Sequence, residues 1–252
     1  MTLIPIFPCF GSRIIKALQR NNSGIAQHWR ISRFLAVLAV ALCLPLCAAA
    51  ATPGDAYVYR LVNGYNQETV GYIRHEFTEA TTAQGSVVSV TVDKPSLGQS
   101  HTEIYTSDGQ WLRHLLDNHG IAVDYEFTPA LPAVLTPAGG KSWSMRVNAK
   151  VPGEFRNRSV RIDGTVLGNE RIRVPAGEFD TVKIRRIVYP GDAADFKSET
   201  RIVEIDWYAP ALGRSVRSET RSGWRLTACY RHCDYYGDWN VLELTEAHAA
   251  KR

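Results

Sequence analysis

Beyond residue 52 apolar and polar positions alternate along most of the chain, and the alternation breaks at turn residues. The clearest case runs from Arg201 to Trp207, where Val203, Ile205 and Trp207 fall on one face and Glu204 and Asp206 on the other, the period of a half-buried strand. On this reading the face with Trp207 packs on the core and Trp207 is largely buried. Glu204 and Asp206 then form a solvated polar face beside Arg185 or Arg201, with a two-carboxylate site as the alternative. Pro210 cannot donate to a ladder, so the strand ends near Tyr208 and turns through Gly213 into a partner beginning at Arg214. Val174-Pro175-Ala176-Gly177 predicts a hairpin bend, because Pro175 presets the backbone for the second turn position and Gly177 suits the fourth.

The same pattern predicts strands at Tyr57 to Val62, Val70 to Phe77, Ser86 to Val92, Glu103 to Thr106, Trp111 to Leu116 and Ile121 to Phe127. Ser107-Asp108-Gly109-Gln110 is a hairpin signal, and Asn118-His119-Gly120 returns the chain again. The Pro-rich run from Thr128 to Lys141 predicts a loop packed across one end of a sheet rather than a linker, since Leu131, Val134 and Leu135 are too apolar for a solvated tether. Strands resume at Trp143 to Val151 and Ser159 to Leu167. Trp224 to Ala228 and Val241 to Thr245 read as strands joined by the loop CYRHCDYYGDWN. No segment beyond residue 52 sustains an amphipathic helical period over three turns. Short connections imply antiparallel neighbours, so the fold class is all-β: a single antiparallel curved sheet, as a half-barrel or lipocalin-like barrel.

The first 51 residues differ. Arg13, Lys16, Arg20, Arg30 and Arg33 occur there without an acidic residue, followed by an apolar run from Phe34 to Leu46 and four alanines. This is the form of a secretory signal peptide, with cleavage expected after Ala50 or Ala51, and the apolar run is short of the roughly 20 residues that span a bilayer. Cys43 and Cys47 each follow Leu, where a lipoprotein signal carries a small residue. Residues 52–252 are then one periplasmic β-rich domain. The whole chain has 29 Lys and Arg against 25 Asp and Glu. The leader holds five of the cations, which leaves 24 against 25 and no electrostatic case for nucleic acid or anionic lipid.

Of five cysteines, Cys229 and Cys233 lie beyond the leader. In an oxidising compartment a structural disulfide is the first expectation, with a metal site including His232, or a redox pair, as alternatives whose spacing fits poorly. The six histidines beyond the leader (His75, His101, His114, His119, His232 and His248) form no metal-binding pair motif, and each reads as a strand or turn residue exposed to water. No nucleophile elbow, phosphate loop or dinucleotide fingerprint occurs. Aromatic residues on strands are core residues first. A curved sheet lined by Trp and Tyr also holds apolar ligands, which makes Trp111, Trp143, Trp207 and Tyr208 the candidate ligand-binding residues.

The motifs GKSW at 140–143, VPAGEFDTVKI at 174–184, DWYAP at 206–210 and GRSVRSE at 213–219 resemble the bacterial exported proteins grouped as domain of unknown function 3108. The resemblance covers Tyr57 to Glu219. It implies a periplasmic antiparallel half-barrel or lipocalin-like sheet, without an activity or functional residues to carry over. Two functions follow as expectations. One is a non-enzymatic envelope protein binding a lipid or other apolar ligand, or a glycan, on a curved sheet. The other is an interaction module that docks an envelope partner. An enzyme of unknown class is the third reading.

Overall fold

The computed structural model describes residues 53–82, 85–94, 98–107, 109–118, 121–131, 141–155, 157–191, 197–226 and 233–248. The leader, the segment 132–140, His119, His232 and Cys229 lie outside the described residues. The strands are β1 (Ala56–Asn63), β2 (Thr69–Thr82), β3 (Gly85–Lys94), β4 (Gln99–Thr106), β5 (Trp111–Asn118), β6 (Ile121–Leu131), β7 (Ser142–Lys150), β8 (Arg158–Val174), β9 (Gly177–Tyr189), β10 (Lys197–Ala209), β11 (Arg214–Leu226) and β12 (Cys233–His248). Each pairs antiparallel with its neighbours in sequence, and β12 returns to pair with β1. The all-β curved sheet expected from the alternation is therefore a closed up-and-down barrel.

The predicted turns form as their chemistry requires. Val174 pairs with Gly177 across Pro175 and Ala176, and Gly177 has a φ of 138°, a region L side chains rarely adopt. Between β10 and β11 the Leu212 and Gly213 amides donate to the Ala209 and Pro210 carbonyls. Two boundaries differ from expectation. β6 continues into the Pro-rich run as far as Leu131, which is fully buried opposite Trp111. Its ladder to β7 stops at Thr128, one residue before Pro129, which has no amide to donate. The aromatic segment after Cys233 is not a loop. It is the first half of β12, held to β11 by pairs such as Trp224 with Tyr235 and Arg225 with Asp234.

An eight-stranded barrel is just wide enough for side chains to fill, and a twelve-stranded one is wider. Among the described residues three apolar clusters form, two of them large. One gathers Trp111, Leu116, Tyr125, Phe127, Leu131, Val160, Ile162 and Val188 from β5 to β9. The other gathers Tyr57, Tyr59, Ile73, Phe77, Val90, Val216 and Leu244 from β1 to β3, β11 and β12. Long charged and aromatic side chains fill the space between them.

β10 corrects the expected face assignment. Its alternation is as predicted, but Ile202, Glu204, Asp206 and Tyr208 are the inward, buried set. Val203, Ile205 and Trp207 face outward, so Glu204 and Asp206 are not a solvated pair. Trp207 is nonetheless only 6% exposed. Its cross-strand neighbours Lys183 and Arg217 lie 4.5 and 5.1 Å from its ring, and its indole N–H donates to Glu170 at 3.0 Å. Trp207 also belongs to the second apolar cluster together with Val174 and Ala209, so long basic stems complete an apolar cover.

Candidate functional site

The interior polar belt has two halves. In the first, β4 places His101, Glu103 and Tyr105 on the inward face by simple alternation. Glu103 Oε1 lies 3.3 Å from His101 Nε2 and 3.0 Å from His114 Nδ1, and Tyr105 donates its hydroxyl to Glu103 Oε2 at 2.6 Å. Burial alone would raise the Glu103 carboxyl, but His114, with His101 and His75, holds it well below the ordinary carboxylate range. Burial would lower His114, and Glu103 outweighs it, so the imidazole sits above its ordinary value. Tyr105 is pushed well up by burial and by the Glu103 charge. His75, from β2, goes the other way. Burial and then the Arg214 guanidinium depress it to about 3, and Nη2 of Arg214 lies 3.4 Å from its Nδ1.

In the second half, Arg186 on β9 faces Glu204 on β10. Its Nε donates to Glu204 at 2.9 Å and its Nη2 to Asp206, which also accepts from Ser218. Burial works against the guanidinium charge, but Asp206 and Glu204 outweigh it and raise its pKa. Trp111 joins the halves: its ring stacks on His114 at 4.0 Å and Arg186 lies 5.3 Å from the same ring. His75, His101 and His114 are therefore partners of buried charge, not water-exposed strand residues; of the described histidines His248 is the exposed one.

On the outer face a row runs across the sheet. Arg161 pairs with Tyr189, Arg201 with Gly223, and Gly223 with Tyr236. Because Gly223 carries no side chain, this row has a notch, which deepens into a cleft of about 210 Å³. Its walls include Trp224, Arg225, Asp234 and Tyr235. Arg225 is ion-paired to Asp234 at 3.0 Å on the same face as Gly223 and Tyr236, whereas Trp224 and Tyr235, one step along the ladder, are near-parallel with ring centres 6.1 Å apart on the opposite face. Beside the cleft, Arg221 lies 4.9 Å from the Tyr236 ring and 5.7 Å from those of Tyr65 and Trp239. Tyr236 and Tyr65 are 57% and 55% exposed, so these faces meet solvent.

The four aromatics singled out from sequence do not gather at one place. Trp143 and Tyr208 pack together with Ile184, where the Trp143 ring occupies the space a side chain at Gly164 would need. Trp111 belongs to the polar belt, and Trp207 lies outside under its arginine and lysine. The outer cleft was missed, although part of its signal was present: Tyr236, with an isolated glycine, Gly223, opposite it on the partner strand.

No known family matches the chain, and no curated protein matches it. Two solved structures are similar to the chain. One is a provisionally assigned lipoprotein of Parabacteroides distasonis, with 13% identity and a TM-score of 0.45, covering 79% of this chain and 97% of that one. The other is a provisionally assigned exported protein with a YmcC-like fold from Bacteroides fragilis, with 14% identity and a TM-score of 0.41 at the same coverages. Among the described residues no helix is long and apolar enough to cross a membrane.

Proposed function

We propose that the chain is a non-enzymatic cell-envelope protein that binds a glycan in the outer cleft between β10, β11 and β12. Tyr236 and Arg201, on the same face of the sheet as the Arg225–Asp234 pair, carry this reading. Aromatic faces take the C–H face of a sugar ring, while a guanidinium and a carboxylate donate to and accept from its hydroxyls. A purely apolar ligand would leave that ion pair desolvated without a new partner. The interior carboxylates Glu103, Glu204 and Asp206 already hold cations or hydroxyls, so none is poised as a free general base. The envelope location rests on the leader, and an exported Cys229 and Cys233 pair would be oxidised.

A second reading, docking of an envelope protein, draws on Val70 and Tyr72 of β2, 48% and 52% exposed. Glycan-array binding by the exported protein and by Tyr236→Ser separates the two. Saccharides retained by the first and lost by the second support the glycan reading. Binding of long-chain fatty acids alone, unchanged in the variant, would sink it.

A further inference from the structure

We infer that the saccharide taken by this cleft is anionic, a pyranose bearing a carboxylate or a phosphate; the inference rests on the cleft being the ligand site. Three arginines surround the aromatic floor, Arg201 and Arg225 in its lining and Arg221 over Tyr236, whereas the lining holds one carboxylate, Asp234. Asp234 is already engaged with Arg225. Among the described residues Arg201 has no ion-pair or hydrogen-bond partner, and it is exposed at the cleft wall. Arg221 contacts three rings and, among the described residues, no carboxylate.

The geometry separates the two tasks a ligand would meet. A sugar ring lying in the notch above Gly223 has Tyr236 on one side and Arg201 on the other. An anionic substituent on that ring then lies toward Arg201, whose planar fork suits bidentate pairing with carboxylate or phosphate oxygens. Gly223 sets the depth of the notch. A Cβ built there comes no nearer than 3.4 Å to the Tyr235 carbonyl oxygen and 3.5 Å to the Tyr236 ring, ordinary contact distances, so a larger residue fills the notch without displacing a strand.

Calorimetric titration of the full chain, expressed for export, with trigalacturonic acid, its methyl ester, glucose 1-phosphate and glucose tests the inference. A charge-assisted contact predicts that an acid binds about tenfold more tightly than its neutral counterpart, an advantage that shrinks with added salt. Arg201→Gln should remove that advantage, so that the acid and its neutral counterpart bind alike. Preference for the phosphosugar over glucose, with no preference between trigalacturonate and its ester, supports the inference with phosphate as the anion. Equal affinities within both pairs, or an acid preference that survives Arg201→Gln, overturn it. If the ligands bind equally well and Gly223→Leu abolishes binding, the cleft remains the glycan site and only the charge inference falls. If none of the four binds, both readings fall.

Discussion

Arg186 on β9 stands directly across the ladder from Glu204 on β10, and the same guanidinium reaches along the strand to Asp206. A cation held by two carboxylates inside a barrel costs desolvation, and its pairing offsets that cost only while all three members are present. Removing Asp206 or Arg186 exposes the imbalance, so Asp206→Ala and Arg186→Met are each expected to cost about 3 to 5 kcal/mol. Trp207→Ala is expected to cost a similar amount through lost packing. Urea unfolding at neutral pH measures all three. An Asp206→Ala midpoint close to wild type would mean the carboxylate is hydrated and the inward assignment of β10 wrong.

The alternation from Arg201 to Trp207 was legible in the sequence, but which face met the core was not. Period-two reasoning assumes that the buried face is the apolar one. In a wide barrel long polar side chains such as Arg186, Glu204 and His114 fill the centre, while Trp207 is covered outside by Lys183 and Arg217. The hairpin at Pro175 and Gly177 was legible because it is local chemistry. The extension of β12 to Cys233 was not, because a register shift between Arg221 and Gly223 interrupts the alternation that would have marked it. Histidines 75, 101 and 114 were misread for the reason that applies to Glu204. Alone each looks solvated, and only closure of the barrel brings them together.

His75 gives a pH dependence with a defined sign. Its folded pKa of about 3 lies below the value of about 6.5 for an unfolded chain, so between these values the unfolded state binds the proton. Stability contributed by neutral His75 is present above that range and lost as pH falls through it. Arg214, Glu103, His101 and His114 are the charged and titratable groups that set its field. Thermal melts from pH 7 to pH 3 should show a shallower decline for His75→Gln than for wild type. An identical decline would contradict the burial of a neutral imidazole.

His114 has the opposite sign. Its raised value, held by Glu103, gives stability that is complete below the unfolded histidine pKa and lost as pH rises through the folded value. Glu103→Gln should remove that contribution and bring the His114 ring resonances back to titrating at or below the ordinary histidine range in an NMR titration. A His114 pKa unaffected by the change would show that the two are not coupled.

Gly164 lies beneath the indole of Trp143, and a Cβ there would fall 2.0 Å from its ring. Gly164→Ala should displace Trp143 from the cluster it shares with Ile184 and Tyr208, costing about 1 to 3 kcal/mol and weakening the near-ultraviolet circular dichroism of tryptophan. Gly223→Leu, made on the outer face, should leave both stability and that spectrum close to wild type.

Nitrogen-15 chemical-shift mapping of the exported protein titrated with the tightest-binding saccharide tests most directly whether ligand binds outside the barrel while ion pairs fill its interior. The prediction is a contiguous set of shifted amides at Arg201, Gly223, Tyr235 and Tyr236, with those of Glu103, His114 and Tyr125 unmoved. Shifts centred on the inward residues of β4, β5 and β6, with the cleft amides silent, would contradict it.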